Sequence, residues 1–481
     1  MSELKDPGRN QTKAATLLER LRGLAQVWRD IAFSDGAGEV PPLAAHLPES
    51  DLSRLRGQLD ACLEARGGEV SARARAAALG RAYLSLSAEG RVRFLKVLAH
   101  EYGPDRSLVD QAVSGLAAAV GDTARNRAEA ALRQALEPPR LRLLTQFNAL
   151  PEGVKFLVDL RAELITLGRD EPDLAPLEAD LKGLLASWFD VGFLVLERIT
   201  WRSPALVLEK IMEYEAVHAI QGWADLKNRL DSDRRLYAFF HPRMPDEPLI
   251  FVEVALVKDM AGNVQDLLDP TAPLGDVEQA DTAIFYSINN AQRGLAGISF
   301  GNFLIKRVVD DLSREFKQIK TFATLSPIPG FRRWLDERLT TGEPGLLTAP
   351  EHKALRHLTG GLGAKGSLKA LLSEPDWTAE PLLAEALEGP LTRLASRYLA
   401  REKKGGGQGA LDPVAHFHLS NGARIERLNW MADMSANGLR QSAGLMVNYL
   451  YDLGDIEANH EAYSATGKVA ASARIRALLK G

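Results

Sequence analysis

The sequence is nearly without cysteine and has no surplus of positive charge, and each lack narrows what the chain can be. Cys62 stands alone, so an intrachain disulfide and a cysteine metal cluster are excluded, and a reducing compartment suits the chain. At that position a small buried apolar group is the simple reading. Lys and Arg number 59 against 63 Asp and Glu, a net charge of -4, so no general field attracts nucleic acid or an anionic membrane. Any polyanionic ligand must therefore meet a local site. No uncharged run reaches the length of a membrane span or signal peptide, and Glu3 and Asp6 argue against an organellar presequence, so a cytoplasmic protein is expected. The histidines and the single cysteine form no ligand cluster, so no metal is expected. A Gly-x-Ser-x-Gly elbow is missing, which disfavours an α/β-hydrolase.

What is present is ample apolar material, 46% of 481 residues, enough for two or three domains. From Ala14 to about Ser187 apolar residues recur every three or four positions, as in Val92, Leu95, Val97 and Leu98 or Leu157, Leu160, Leu164 and Leu167. Breaks at Gly67-Gly68, Gly103-Pro104 and Pro138-Pro139 cut this text into ordinary helices, and without a fixed period they predict a bundle rather than a solenoid. Near Trp188 short aromatic and branched runs begin: Phe193 to Trp201, Tyr237 to His241 and Leu249 to Val257 read as strands, the last two joined as a hairpin across Pro242, Pro245 and Pro248. A second hairpin is predicted from Val414 to Leu419, turning at Asn421-Gly422 into Arg424 to Trp430.

The stretch Ala283 to Trp334 is the most informative. Ala283 to Ile288 reads as a strand, Gly294, Gly297 and Gly301 mark a loop, and Asn302 caps a helix carrying Leu304, Ile305, Val308, Val309 and Leu312. Thr321 to Leu325 is a second strand, so the whole is a βαβ unit whose loop and Ser326 emerge at the carboxyl ends of parallel strands. Glycines leading into a helix N-terminus suit a phosphate held by peptide N–H groups, or equally a plain turn. Ser326-Pro327-Ile328-Pro329-Gly330 presents a hydroxyl on a stiffened backbone, as a reactive group or as a turn bonded to its own backbone. In the predicted strand His416 and His418 share one face, with Phe417 on the other.

At these residues the sequence resembles the malonyl-CoA decarboxylase family. The resemblance is carried by Phe239 to Leu256, by Ala283 to Trp334 and by Phe417-His418-Leu419 with Asn421-Gly422-Ala423. It continues through Asn429-Trp430-Met431-Ala432-Asp433 to Gly444-Leu445-Met446-Val447-Asn448-Tyr449. It implies a helical oligomerisation domain at 1–187, forming a homo-oligomer, with a tetramer as the implied form. A catalytic α+β domain follows at 188–481, similar to the GNAT-type N-acetyltransferase fold. It also implies a catalytic serine and histidine at Ser326 and His418. An acyl-CoA-binding loop falls on Ala296, Gly297, Ile298, Ser299, Phe300, Gly301 and Asn302, with Ser287 and Tyr451 near the site. Animal members carry glutamate where this chain has Ser299, so an essential carboxylate is not carried over to that position.

The implied reaction turns malonyl-CoA into acetyl-CoA and carbon dioxide. The thioester carbonyl is itself the electron sink for the departing bond, so no organic cofactor is required. An enzyme must then orient the carboxylate, stabilise the enolate oxygen and protonate the carbon. Ser326 is assigned the first task and His418 the last, with a proton relay from the serine through His418 as the other role open to this pair. Two alternatives stay open: an acyl-CoA thioesterase using the same pair, and a non-catalytic acyl-CoA-binding regulator.

Overall fold

The computed structural model describes residues 28, 42–64, 68–298, 303–358, 364–374 and 377–480. The start of the expected helical region, Ala14 to Val27, lies outside them. The chain forms two compact units: one takes Met1–Val195, Phe240–Leu249 and Asn290–Ser299, the other Leu196–Phe239, Ile250–Asn289 and Phe300–Gly481.

The first unit is helical from Glu49–Leu63 to Ala175–Trp188, as the spacing predicts. Two of its helices begin where the sequence supplies acceptors for free N–H groups: Ser87 caps Ala88–Glu101 through Gly90, and Asp105 caps Arg106–Ala118 through Ser107 and Leu108. The apolar stripes meet in a core that includes Leu95, Leu157, Leu160, Leu164, Leu181 and Leu185. Trp28, Phe147 and Phe156 pack beside them, with Phe147 and Phe156 stacked at 4.9 Å between centroids. Buried Arg140 ties three helices together, donating to Asp180 at 2.6 Å and to the carbonyl of Ala99 at 2.8 Å. The paired helices Arg106–Ala118 and Asp122–Leu136 bury no residue and leave Leu108, Val113 and Leu136 about half exposed.

The second unit is built on a mixed sheet. Its strands are β1 (Val195–Ile199), β2 (Arg234–Phe240), β3 (Ile250–Val257), β4 (Thr282–Asn290), β5 (Thr321–Thr324), β6 (Ser326–Pro327), β7 (Arg424–Asn429) and β8 (Met446–Leu450). Their order is β1-β2-β3-β4-β5-β8-β6, with β7 also paired to β8. The first predicted hairpin is present: β2 and β3 run antiparallel, Arg234 opposite Ala255 through Phe239 opposite Ile250. So is the βαβ unit, in which β4 and β5 are parallel and the helix Phe303–Glu315 lies between them in the chain. Leu312, Val308 and Val309 are fully buried on that helix. Pairing of β4 with β5 stops at Phe285 and Thr324, after which β6 pairs with β8 while β4, flanked on its other side by β3, continues to Asn290.

The second predicted hairpin is not present. Residues Pro413–Ser420 form a helix, and only Arg424–Asn429 is strand. Alternation in Val414 to Leu419 lost to a strong helix start: the Asp412 carboxylate accepts from the N–H groups of Val414 and Ala415, and Pro413 sits at the first helical position. Asn421-Gly422 ends this helix, with Gly422 at φ 83°. A Cβ on Gly422 would lie 2.2 Å from the Ile456 carbonyl. His416 and His418 therefore do not share a face: His416 is exposed beside Tyr463, and His418 is buried.

Candidate active site

The site grows out of strand alternation. Thr324 and Ser326, two residues apart in extended chain, point to one side, while Leu325 between them enters the apolar core with Ile284, Ala323 and Met446. Ser326 is fixed by pairing with Val447 on β8. Its Oγ lies 2.8 Å from Thr324 Oγ1 and 3.2 Å from His418 Nε2, so the hydroxyl meets two side chains rather than local backbone. Thr324 Oγ1 also accepts from the N–H of Tyr449 at 3.2 Å.

Tyr449 and Tyr451, likewise two apart on β8 and its continuation, close on the histidine from the same strand. Tyr449 stacks on the imidazole at 4.5 Å, and Tyr451 Oη lies 2.7 Å from His418 Nδ1. Among the described residues the hydrogen-bond partners of the His418 ring nitrogens are the Ser326 and Tyr451 hydroxyls and no carboxylate. Burial pushes the imidazole down to about 3, so it is neutral near pH 7. Burial likewise holds the Tyr451 and Tyr449 phenols well above the usual phenol range, so both stay protonated.

Asp412 connects this chemistry to the fold. It is wholly buried at the start of the helix that carries His418. Burial pushes its carboxyl up to about 6, against the N–H groups of Ala415 and Val414, which favour the anion.

Ser287 belongs to a different cluster. Its Oγ donates to Glu215 Oε2 at 2.9 Å, and Asn289 Nδ2 donates to the same carboxylate at 2.6 Å. Behind them Glu253, fully buried and 3.1 Å from Arg229, is pushed up to about 8, first by burial and then by the charge of Glu215. This buried acidic pair carries no sequence signal beyond a glutamate within a run of strand apolars, and sequence reading missed it. It also missed Thr324, Tyr449 and Asp412 as members of the site.

In the expected acyl-CoA loop, Ala296, Gly297 and Ile298 belong to the helical unit, whereas Ser299, Phe300, Gly301 and Asn302 lie outside the described residues. Arg161, itself buried, grips the loop from the helix Gly153–Leu167, donating to the carbonyls of Gly294 at 2.6 Å and Ala296 at 2.8 Å. A Cβ on Gly294 would lie 1.7 Å from the Val158 carbonyl, so only glycine allows this approach. Gly297 is at φ 73°. Among the described residues no group of three His, Cys, Asp or Glu side chains is placed to hold a metal ion, and no helix is long and apolar enough to cross a membrane.

A helical region followed by a mixed-sheet domain that encloses a hydroxyl, an imidazole and a phenol defines, on comparison with known proteins, a carbon–carbon lyase. The family described as malonyl-CoA decarboxylase C-terminal domain matches residues 192–481, and the one described as malonyl-CoA decarboxylase N-terminal domain matches residues 102–189. The chain belongs to the malonyl-CoA decarboxylase family. It is 39% identical over 456 residues to the mitochondrial malonyl-CoA decarboxylase of Rattus norvegicus, covering 92% of this chain and 89% of that one. To the protein of the same name from Anser anser anser it is 38% identical over 477 residues, covering 95% and 93%. The crystal structure of malonyl-CoA decarboxylase from Rhodopseudomonas palustris superposes with a TM-score of 0.81 at 43% identity, covering 88% of this chain and 99% of that one. That from Agrobacterium vitis gives 0.80 at 42%, with the same coverage.

Proposed function

We propose that the chain decarboxylates malonyl-CoA to acetyl-CoA and carbon dioxide, with Ser326 orienting the carboxylate and His418 protonating the carbon. Family membership supports the reaction. The observation that carries the assignment of residues is the 3.2 Å approach of Ser326 Oγ to His418 Nε2 inside a cluster whose remaining polar members, Thr324 and Tyr451, are uncharged hydroxyls. When the malonyl carboxylate leaves as carbon dioxide, the bonding pair passes to the thioester enolate and a proton must reach the carbon. The buried imidazole is neutral until an anion arrives. A bound carboxylate is such an anion, so the substrate itself draws in the proton that the product retains. A serine nucleophile would want a carboxylate behind the histidine to stabilise its charged form; here the partner of Nδ1 is a phenol, which opposes the thioesterase reading.

The same proposal assigns coenzyme A to the loop Ala296 to Asn302. A β4 that continues past its pairing with β5 supports the likeness to the GNAT-type fold. It takes residues 1–187 as the assembling part of a homo-oligomer, a tetramer by resemblance, supported by the helical pair Arg106–Ala118 and Asp122–Leu136 that buries none of its own residues. Residues 188–481 are the catalytic part. Cytoplasmic location completes the reading on the strength of the lone Cys62, although the vertebrate relatives are named mitochondrial. Incubation with malonyl-CoA tests it: equal amounts of acetyl-CoA and carbon dioxide are expected, whereas malonate with free CoA would mean hydrolysis and unchanged malonyl-CoA a binding protein.

A further inference from the structure

Leu295 to Ile298 is a type II turn: Ala296 lies at φ -56° and ψ 132°, Gly297 at φ 73°, and the N–H of Ile298 donates to the carbonyl of Leu295 at 3.1 Å. The central peptide of this turn is planar and trans, so its carbonyl and its N–H point opposite ways. The carbonyl, on Ala296, is taken by Arg161 at 2.8 Å. The N–H, on Gly297, therefore points away from Arg161, and it meets no acceptor among the described residues. Ala296 and Gly297 are both exposed.

A cation lies beside this free donor. A Cβ on Gly297 would lie 3.3 Å from Lys182 Nζ, so the ammonium rests over the glycine. On the helix Ala175–Trp188 the natural partner of Lys182 is Glu178, four residues earlier, but that carboxylate is bound to Arg161 at 2.8 Å. Asp180 is likewise bound to Arg140, at 2.6 Å. Lys182 is exposed and has no carboxylate partner among the described residues. The two arginines hold the fold, and one ammonium and one peptide N–H remain together at the surface. Such a pair, at a residue with no side chain in the way, suits a phosphate oxygen.

We propose that Lys182, together with the N–H of Gly297, binds a phosphate group of coenzyme A, which makes the helix Ala175–Trp188 part of substrate recognition. This rests on the assignment of coenzyme A to the loop above and adds to it a residue from the N-terminal region. The acyl end of the substrate carries no phosphate, so the lysine touches no reacting atom. Its contribution is to affinity, read in KM rather than in kcat.

The test is steady-state kinetics on Lys182→Met, which keeps the apolar stem without the charge, and on Lys182→Arg. Each is run with malonyl-CoA and with malonyl-pantetheine, which carries the same reacting group and no phosphate. Lys182→Met is expected to raise KM for malonyl-CoA roughly three- to tenfold, the scale of one charge-assisted contact at an exposed site, with kcat within about twofold of the parent. Its KM for malonyl-pantetheine is expected to be unchanged, and Lys182→Arg to stay near the parent on both. Malonyl-dephospho-CoA, lacking only the ribose phosphate, identifies the contact: an effect of Lys182→Met that persists places the lysine on the diphosphate, one that vanishes places it on the ribose phosphate, and either supports the proposal. Parental KM for malonyl-CoA in Lys182→Met, or equal impairment on malonyl-pantetheine, overturns it. Calorimetry with acetyl-CoA on Gly297→Val separates the two readings. If that variant binds weakly while Lys182→Met keeps parental KM, only the lysine is wrong, whereas parental affinity in Gly297→Val removes coenzyme A from the loop and the role of the lysine with it.

Discussion

Tyr449 lies flat against the imidazole of His418, ring centroids 4.5 Å apart and planes 25° apart. The stack removes one face of the histidine from water, and Tyr451 closes one of its edges through Nδ1. A charged imidazole is costly there unless an anion lies beside it.

This has a consequence for stability. An exposed histidine takes up its proton near pH 6.5, but His418 in the fold resists until about 3. As pH falls below about 6.5 the unfolded chain binds a proton that the folded chain refuses, so stability present above that pH is lost progressively toward about 3. Asp412 and Glu253, raised to about 6 and about 8, act with the opposite sign, their stability lost as pH rises through those values. Thermal unfolding of the parent and of His418→Asn between pH 7 and pH 5 isolates the histidine. The parent should lose more Tm than the variant over this range; parallel curves would contradict the assignment.

Asp412 should matter through the helix it starts. Asp412→Ala removes the acceptor for the Val414 and Ala415 N–H groups and is expected to cost about 1–2 kcal/mol by denaturant titration, with kcat reduced because His418 loses its anchor. Asp412→Asn keeps an oxygen in that place and should be milder in both measurements. An alanine variant of unchanged stability would sink this reading.

Two glycines of the loop should respond differently. Gly297→Val is expected to weaken acetyl-CoA binding by calorimetry more than the same change at Gly405, exposed in a turn ahead of the helix Pro413–Ser420, since Gly297 sits at φ 73° in the segment assigned to the ligand. Gly294→Ala should instead lower Tm, because its new methyl would meet the Val158 carbonyl. Equal affinities for the Gly297 and Gly405 variants would remove the loop from the binding site.

The helical pair Arg106–Ala118 and Asp122–Leu136 offers the clearest place for an assembly contact. Light scattering on the full chain is expected to give an oligomer, and Val113→Glu with Leu136→Glu, both on half-exposed apolar positions, to lower its mass. A monomeric parent at micromolar concentration would refute the assembly proposal.

The βαβ unit was legible because each of its signals is local: a branched strand, glycines, an apolar helical stripe and a second strand. The segment around His418 reads as a strand because its residues alternate and end in Asn-Gly, while the signal that decides for a helix, Asp412-Pro413, lies just ahead of it. Thr324 and Tyr449 read as strand residues only. Their meeting with Ser326 and His418 depends on β8 returning beside β5 and β6 from more than a hundred residues away, which no local pattern encodes. Glu215 and Glu253 were invisible for the same reason.

The central claim is most directly tested by the rate of carbon dioxide release from malonyl-CoA by Ser326→Ala and His418→Asn, each checked for folding, with His416→Asn as the exposed control. Loss of roughly two orders of magnitude or more in kcat is predicted for the first two, the scale of an oriented donor or acid, with a mild effect for the third. Near-parental turnover by a folded Ser326→Ala or His418→Asn protein would contradict the account.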